Sequence, residues 1–258
     1  MTVRLADVVA YLDDVLEVGS FRDYGPNGLQ VEGSQEVDTI VTGVSANMAL
    51  FETARQHNAD LIVVHHGLIW GSGVPRVTGA VARRLKFLLE HGMSLAAYHL
   101  PLDKHPRVGN NVGLCDALGL SADRGAFGDI RGHKLGVSGS WPSPIPRSEA
   151  LSRISQTVCG GAAPNFVFPH GPDMVRTVGV CSGAASDLLE EASAAGCDLY
   201  LTGELAERSA GLARELQITL VGAGHHYTEV FGANRLVDEL KYKFPGVAAR
   251  FIDVPSPL

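Results

Sequence analysis

Two histidines, His65 and His66, follow the apolar run Leu61 to Val64 without a break, and His99 follows Ser94 to Tyr98 in the same way. Asp103 lies four residues beyond His99, and Glu229 lies four residues beyond His225, so one histidine-to-carboxylate spacing occurs twice. Imidazole and carboxylate together suit zinc, iron, manganese or nickel, whereas calcium and magnesium usually take oxygen ligands alone. The pattern predicts a metal site made by His65, His66, Asp103, His225 and Glu229. Adjacent histidines alternate faces where a strand continues, so they suit two ions, or one ion met through an irregular turn. With Asp103 and Glu229 able to bridge, two divalent transition-metal ions per chain are expected. Bridged pairs of this kind sit about 3.5–4 Å apart and acidify water, which makes hydrolysis the matching reaction class.

His99 and Glu204 are the candidate catalytic residues, as proton carriers beside the metals. A strand-end histidine taken singly is more often a hydrogen-bonding residue, and a carboxylate such as Glu204 can simply face a helix start. His225 is preferred to its neighbour His226 because only His225 has the four-residue spacing to Glu229. His57, His91, His105, His133 and His170 fit surface positions. Arg76, Arg83, Arg84, Lys86, Lys104 and Arg107 lie around the same loops and read first as a solvated face, with phosphate binding as the competing reading.

These residues must be positioned by the elements before them. Apolar runs at Thr39 to Val44, Asp60 to Val64, Ser94 to Tyr98, Thr177 to Cys181, Asp198 to Leu201 and Ile218 to Val221 predict buried strands. Met48 to Gln56, Val81 to Glu90, Ser186 to Ala195 and Leu205 to Glu215 predict helices between them. The alternation defines an α/β fold of mainly parallel or mixed sheets, in which ligands gather beyond the carboxyl ends of strands. Residues 39–66 and 177–204 share one layout, with Asp60-Leu61 and Asp198-Leu199 in register, which predicts two related α/β lobes with the metal site between them. The expected division is 1–125 as the first lobe, completed by 226–258, and 126–225 as the second. Ala122 to Arg131 reads as a weak boundary, and Trp141 to Pro146 as a turn or connector.

The chain is 258 residues long and 45% hydrophobic, enough for two packed cores. A net charge of -7 argues against general nucleic-acid binding or attachment to anionic lipid. Asp7, Asp13, Asp14 and Glu17 interrupt the first segment, whose Leu5, Val8, Leu12, Val15 and Leu16 fit a helix face rather than a signal peptide or membrane span, so a cytoplasmic location is expected. Cys115, Cys159, Cys181 and Cys197 lack Cys-x-x-Cys spacing and read as reduced core thiols. No phosphate-binding loop or dinucleotide fingerprint is present.

The segments Asn27 to Gly33, Val64 to Trp70, Tyr98 to Asp103, Gly109 to Asn111, Leu201 to Glu204 and Gly224 to Glu229, taken in order, resemble the GTP cyclohydrolase 1 type 2 homologue family, also called Nif-three-like. The resemblance spans nearly the whole chain and implies the short form of the family, without an inserted domain. It implies two α/β lobes facing a dinuclear metal site, with His65, His66, Asp103, His225 and Glu229 on the ligand positions. It also implies a ring-like homohexamer. Gly211 departs from the pattern, since related proteins often carry a histidine there. Two functions are carried forward: a hydrolase acting on a small, nucleotide-like substrate, and a non-enzymatic protein that stores, delivers or senses metal or uses it as an assembly scaffold.

Overall fold

The structure, a computed structural model, describes residues 2–71, 76–121 and 123–256. Chain contacts divide it into two compact units, Met1–Val108 with Gly232–Val254, and Gly109–Phe231 with Pro255–Leu258. Residues 109–125, placed with the first lobe on sequence grounds, therefore fall in the second unit. Ala122 itself lies outside the described residues.

In the first unit a two-stranded ribbon, β1 (Val3–Arg4) with β3 (Glu36–Val37), accompanies a five-stranded sheet. That sheet contains β2 (Gly28–Val31), β4 (Thr39–Ser45), β5 (Leu61–His66), β6 (Ser94–Ala97) and β13 (Ala248–Phe251), in the order β13-β4-β5-β6-β2. Only the β2 pairing is antiparallel. The helices are α1 (Leu5–Val15), α2 (Met48–Gln56), α3 (Gly79–Glu90), α4 (Leu100–Lys104) and most of α9 (His225–Lys243). Leu5, Val8 and Leu12 recur on one face of α1 and are buried, as the helical period requires.

The second unit has a six-stranded sheet in the order β7-β8-β10-β11-β12-β9. Its strands are β7 (Gly125–Ile130), β8 (His133–Pro146), β9 (Phe166–Pro169), β10 (Met174–Val180), β11 (Leu199–Thr202) and β12 (Thr219–Gly222). The helices α5 (Asn110–Ala117), α6 (Arg147–Thr157), α7 (Leu189–Ala194) and α8 (Arg208–Glu215) complete it, with the start of α9.

The internal repeat is built at atomic detail. The Asp60 carboxylate accepts the Asp38 and Thr39 amides at 2.8 and 3.0 Å, pinning the start of β4. The Asp198 carboxylate accepts the Arg176 and Thr177 amides at 2.8 and 2.9 Å and does the same for β10. Each trio β4-β5-β6 and β10-β11-β12 is parallel, and each ends on an antiparallel strand, β2 or β9.

Two expectations are corrected here. The weak boundary at 122–131 contains β7, and the connector at Trp141 to Pro146 is the second half of β8. Pro142, Pro144 and Pro146 are alternate residues, so their missing N–H groups all fall on one edge of the strand. β7 covers only residues 133–138 of β8, and β10 pairs along the other side, so among the described residues that edge carries no ladder to interrupt. Trp141, 2% exposed, anchors the segment in the second core and donates its indole N–H to the Leu118 carbonyl at 2.8 Å. Trp141→Ala is expected to cost about 3–5 kcal/mol in urea unfolding, as for other large aromatic truncations in cores. A connector residue would cost within about 0.5 kcal/mol.

All four cysteines are buried and, among the described residues, outside any disulfide, in keeping with core thiols. Burial pushes Cys115 and Cys197 up to about 12 and Cys159 up to about 11, so their thiolates are scarce. Among the described residues no helix is long and apolar enough to cross a membrane.

Candidate metal centre

In the first unit β5 ends on His65 and His66, and β6 leads into His99 at the N-terminus of α4. Strand alternation does not separate the two neighbours, because their rings converge at 4.6 Å. One ring nitrogen from each of His65, His66 and His99 lies within 4.8 Å of the others, a spacing that can hold a cation. His65 is fully buried, and its Nε2 stands 3.5 Å from Oδ1 of the buried Asp103 in α4.

Each of these imidazoles is engaged through Nδ1. His65 Nδ1–H donates to the Tyr98 carbonyl at 3.0 Å. His66 Nδ1 lies 3.0 Å from the Ser45 hydroxyl, its β4 register partner. His99 Nδ1–H donates to Asp23 Oδ1 at 2.7 Å. Carbonyl and carboxylate oxygens only accept, so in His65 and His99 a proton sits on Nδ1 and Nε2 is the nitrogen that could face a cation or a proton donor, the arrangement common to metal-binding histidines.

Sequence reasoning missed Asp23, which sits in the turn-rich stretch from Asp23 to Gly28. Its side chain is 1% exposed and accepts four hydrogen bonds, from His99 Nδ1, Tyr24 N, Asn27 Nδ2 and Leu100 N. Burial pushes this carboxyl up, but the bond and charge of His99 and the other donors outweigh it, holding Asp23 at about 2. The depressed value stabilises the fold above the unfolded value of 3.8, and that contribution is lost as pH falls through about 2. Asp23→Asn is expected to lose about 2 kcal/mol at neutral pH and to flatten the stability profile over that acid window, read by denaturant unfolding.

In the second unit Glu204 follows β11, and His225 and Glu229 occupy the first turns of α9. His225 Nδ1 donates to Glu204 Oε1 at 2.6 Å, and its Nε2 lies 3.2 Å from Oε1 of the buried Glu229. Burial pulls the imidazole down, but Glu229 and then Glu204 raise it to about 9. His226 is buried beside Tyr227 on the same helix. Sequence reasoning also missed Gly183. Its φ is +67°, and a Cβ there would overlap Glu229 Oε1 and stand 3.2 Å from His225 Nε2. The Gly183 carbonyl also accepts the Gly203 and Glu204 amides at 2.9 and 3.0 Å, tying the two loops together. Asn111 secures this region by accepting the Ser182 amide at 2.7 Å and donating to the Leu135 carbonyl at 2.9 Å.

The family model for Duf34/NIF3 (NGG1p interacting factor 3) matches residues 3–257. The chain belongs to the Duf34/NIF3 family. A family relative from Archaeoglobus fulgidus, named GTP cyclohydrolase 1 type 2 homolog, is 40% identical over 99% of this chain and all of its own length. A Pseudomonas aeruginosa protein of the same name is also 40% identical, with each chain covered in full. Among solved structures, "Structural genomics, protein ybgI, unknown function" superposes with a TM-score of 0.90 at 35% identity, over 99% of this chain and 100% of that one. The protein TTHA1606 from Thermus thermophilus gives 0.84 at 34% identity, with the same coverage. The two-lobed α/β organisation expected from the resemblance is thus the NIF3 fold, and clustered His, Asp and Glu side chains in this member can hold metal.

Proposed function

We propose that His65, His66, Asp103, His225 and Glu229 hold a pair of divalent transition-metal ions, zinc, iron, manganese or nickel, and that the protein is a metal-dependent hydrolase of a small molecule. The observation that carries this reading is the shared state of the imidazoles. His65 and His225 each commit Nδ1 to an oxygen acceptor, which directs Nε2 to ligation, while His99, held the same way by Asp23, keeps Nε2 for proton transfer. The donor chemistry fits, since imidazole nitrogen with carboxylate oxygen and no thiolate selects borderline cations.

When bound, a divalent pair supplies Lewis acidity and lowers the pKa of water. The remaining work belongs to the chain. Asp23 orients His99, whose Nε2 can take a proton from the attacking group and return it to the leaving group. Glu204 holds the His225 ring. The name of the relatives makes purine nucleotides the first substrates to test.

Elemental analysis of protein purified without added metal is expected to give close to two ions per chain. His65→Ala is expected to lose metal and any hydrolysis of nucleotides or phosphoesters together. Near-zero metal with no uptake on titration would remove the proposal. Metal that passes readily to an apo acceptor, without turnover of any substrate, would support storage or delivery instead. Self-assembly to a homohexamer belongs to the same proposal and is expected as a sixfold chain mass in light scattering.

A further inference from the structure

We propose that Tyr24 and Trp70 frame a subsite for a planar heteroaromatic ring beside the metal donors of the first unit. The inference rests on the hydrolase reading for its substrate, but its binding test does not require turnover. Trp70 is 42% exposed and Tyr24 46% exposed, although burying either ring would strengthen a core. Both rings approach His99 edge-on, at centroid distances of 5.1 Å for Trp70 and 5.9 Å for Tyr24. Trp70 also lies 5.9 Å from the His66 ring.

The loops that carry them are built rather than left loose. The Gly71 amide donates to the Tyr24 carbonyl at 2.6 Å, and the Trp70 indole N–H donates to the Gly67 carbonyl at 3.1 Å. Gln30 Oε1 accepts the Leu68 and Ile69 amides at 2.8 and 3.1 Å, while its Nε2 donates to the Pro26 carbonyl at 2.9 Å. Gly25 and Gly67 sit where a Cβ would strike the Ile69 carbonyl or the Gln30 amide. Two fixed, partly exposed aromatic rings cost little ordering entropy on binding, which is the property a stacking site needs. Trp70 touches both His66 and His99, and Tyr24 touches His99, so a ring stacked there lies next to these imidazoles. The occupant is therefore a flat ring whose attached polar group reaches the cation, as in a purine nucleotide.

Trp70 reports on its own site, because the only other tryptophan, Trp141, is buried in the second unit. Zinc-loaded full-length protein is titrated with inosine 5′-monophosphate and, separately, ribose 5-phosphate, following tryptophan fluorescence and metal content. Saturable quenching by the nucleotide alone is expected. Trp70→Leu is expected to weaken nucleotide binding, read by calorimetry, about tenfold or more, and Tyr24→Leu to weaken it similarly, both with zinc content unchanged. Both rings are solvent-facing, so the variants keep the fold, checked by circular dichroism. Equal quenching by the ring-free phosphate, unchanged affinity in both variants, or affinity lost only in step with zinc would overturn the subsite. So would a Trp70 signal that acrylamide reaches only after the assembly dissociates, since the pair would then be a contact between copies. Zinc binding without nucleotide binding defeats the subsite and leaves the metal proposal standing; failure to bind zinc defeats the metal proposal.

Discussion

Affinity for divalent metal is expected to rise about tenfold with each pH unit up to about 9, where the His225 imidazolium of the metal-free protein loses its proton. The cause is a competition at Nε2. In the metal-free state the imidazolium donates to Glu229 on one side and Glu204 on the other, and ligation requires the Nε2 proton to leave. The same raised value acts in the opposite sense on the metal-free fold. Its contribution to stability is complete below the ordinary histidine value of 6.5 and disappears as pH rises through about 9. Alkaline solution should therefore favour the loaded protein while weakening the empty one. Isothermal titration across this range, with denaturant unfolding of chelated protein, measures both slopes; a pH-independent affinity would exclude His225 from the ligand set. Glu204→Gln should start the loss of pH dependence at a lower pH, because it removes one of the two carboxylates that hold the proton in place.

Gly183→Ala is expected to lower metal affinity about 10–100-fold, the range seen when outer-shell support of a ligand is disturbed. The methyl group would occupy the space of Glu229 Oε1, and the left-handed backbone at +67° adds about 1–2 kcal/mol of strain for any residue with a Cβ. Gly211→Ala is the matching control. A Cβ at 211 meets nothing within 4 Å and lies inside α8, so this change is expected to stabilise the fold by about 0.4–1 kcal/mol and leave metal binding alone. The position that departs from the family pattern is thus open space at a helix surface. Competition with a chromophoric chelator measures the first effect, and thermal unfolding the second.

The contrast between Gly183 and His225 shows what a sequence discloses. Parallel strands buried on both faces are written as apolar runs, so β4, β5, β6, β11 and β12, the histidines that end β5 and the one that follows β6 were legible from residue type alone. The matched Asp60 and Asp198 carried the repeat, because each is bonded to the two amides that open its neighbouring strand. The edges were not legible. β7 is interrupted by glycine and β8 by alternate proline, patterns that deny a strand unless one knows which side of it is unpaired. Asp23 and Gly183 were hidden for another reason. One is a carboxylate whose partner lies 76 positions away, and the other is valued for an atom it lacks. Only the Asn27-to-Gly33 motif hinted at the first loop. There Asn27 receives the His99 amide at 2.8 Å and Gln30 clips the 68–69 backbone.

The strand β13 joins the first sheet parallel to β4 only after residues 109–231, the bulk of the second unit, have been spelled out. A ribosome therefore releases β4 long before its outer neighbour exists, and the nascent first unit must wait with one sheet margin bare. The intervening 109–231 segment holds its own six strands and can settle during that interval. Synthesis order thus gives residues 109–231 the earlier opportunity to mature, and makes the late-made Ala248–Phe251 decisive for the unit whose histidines were translated first.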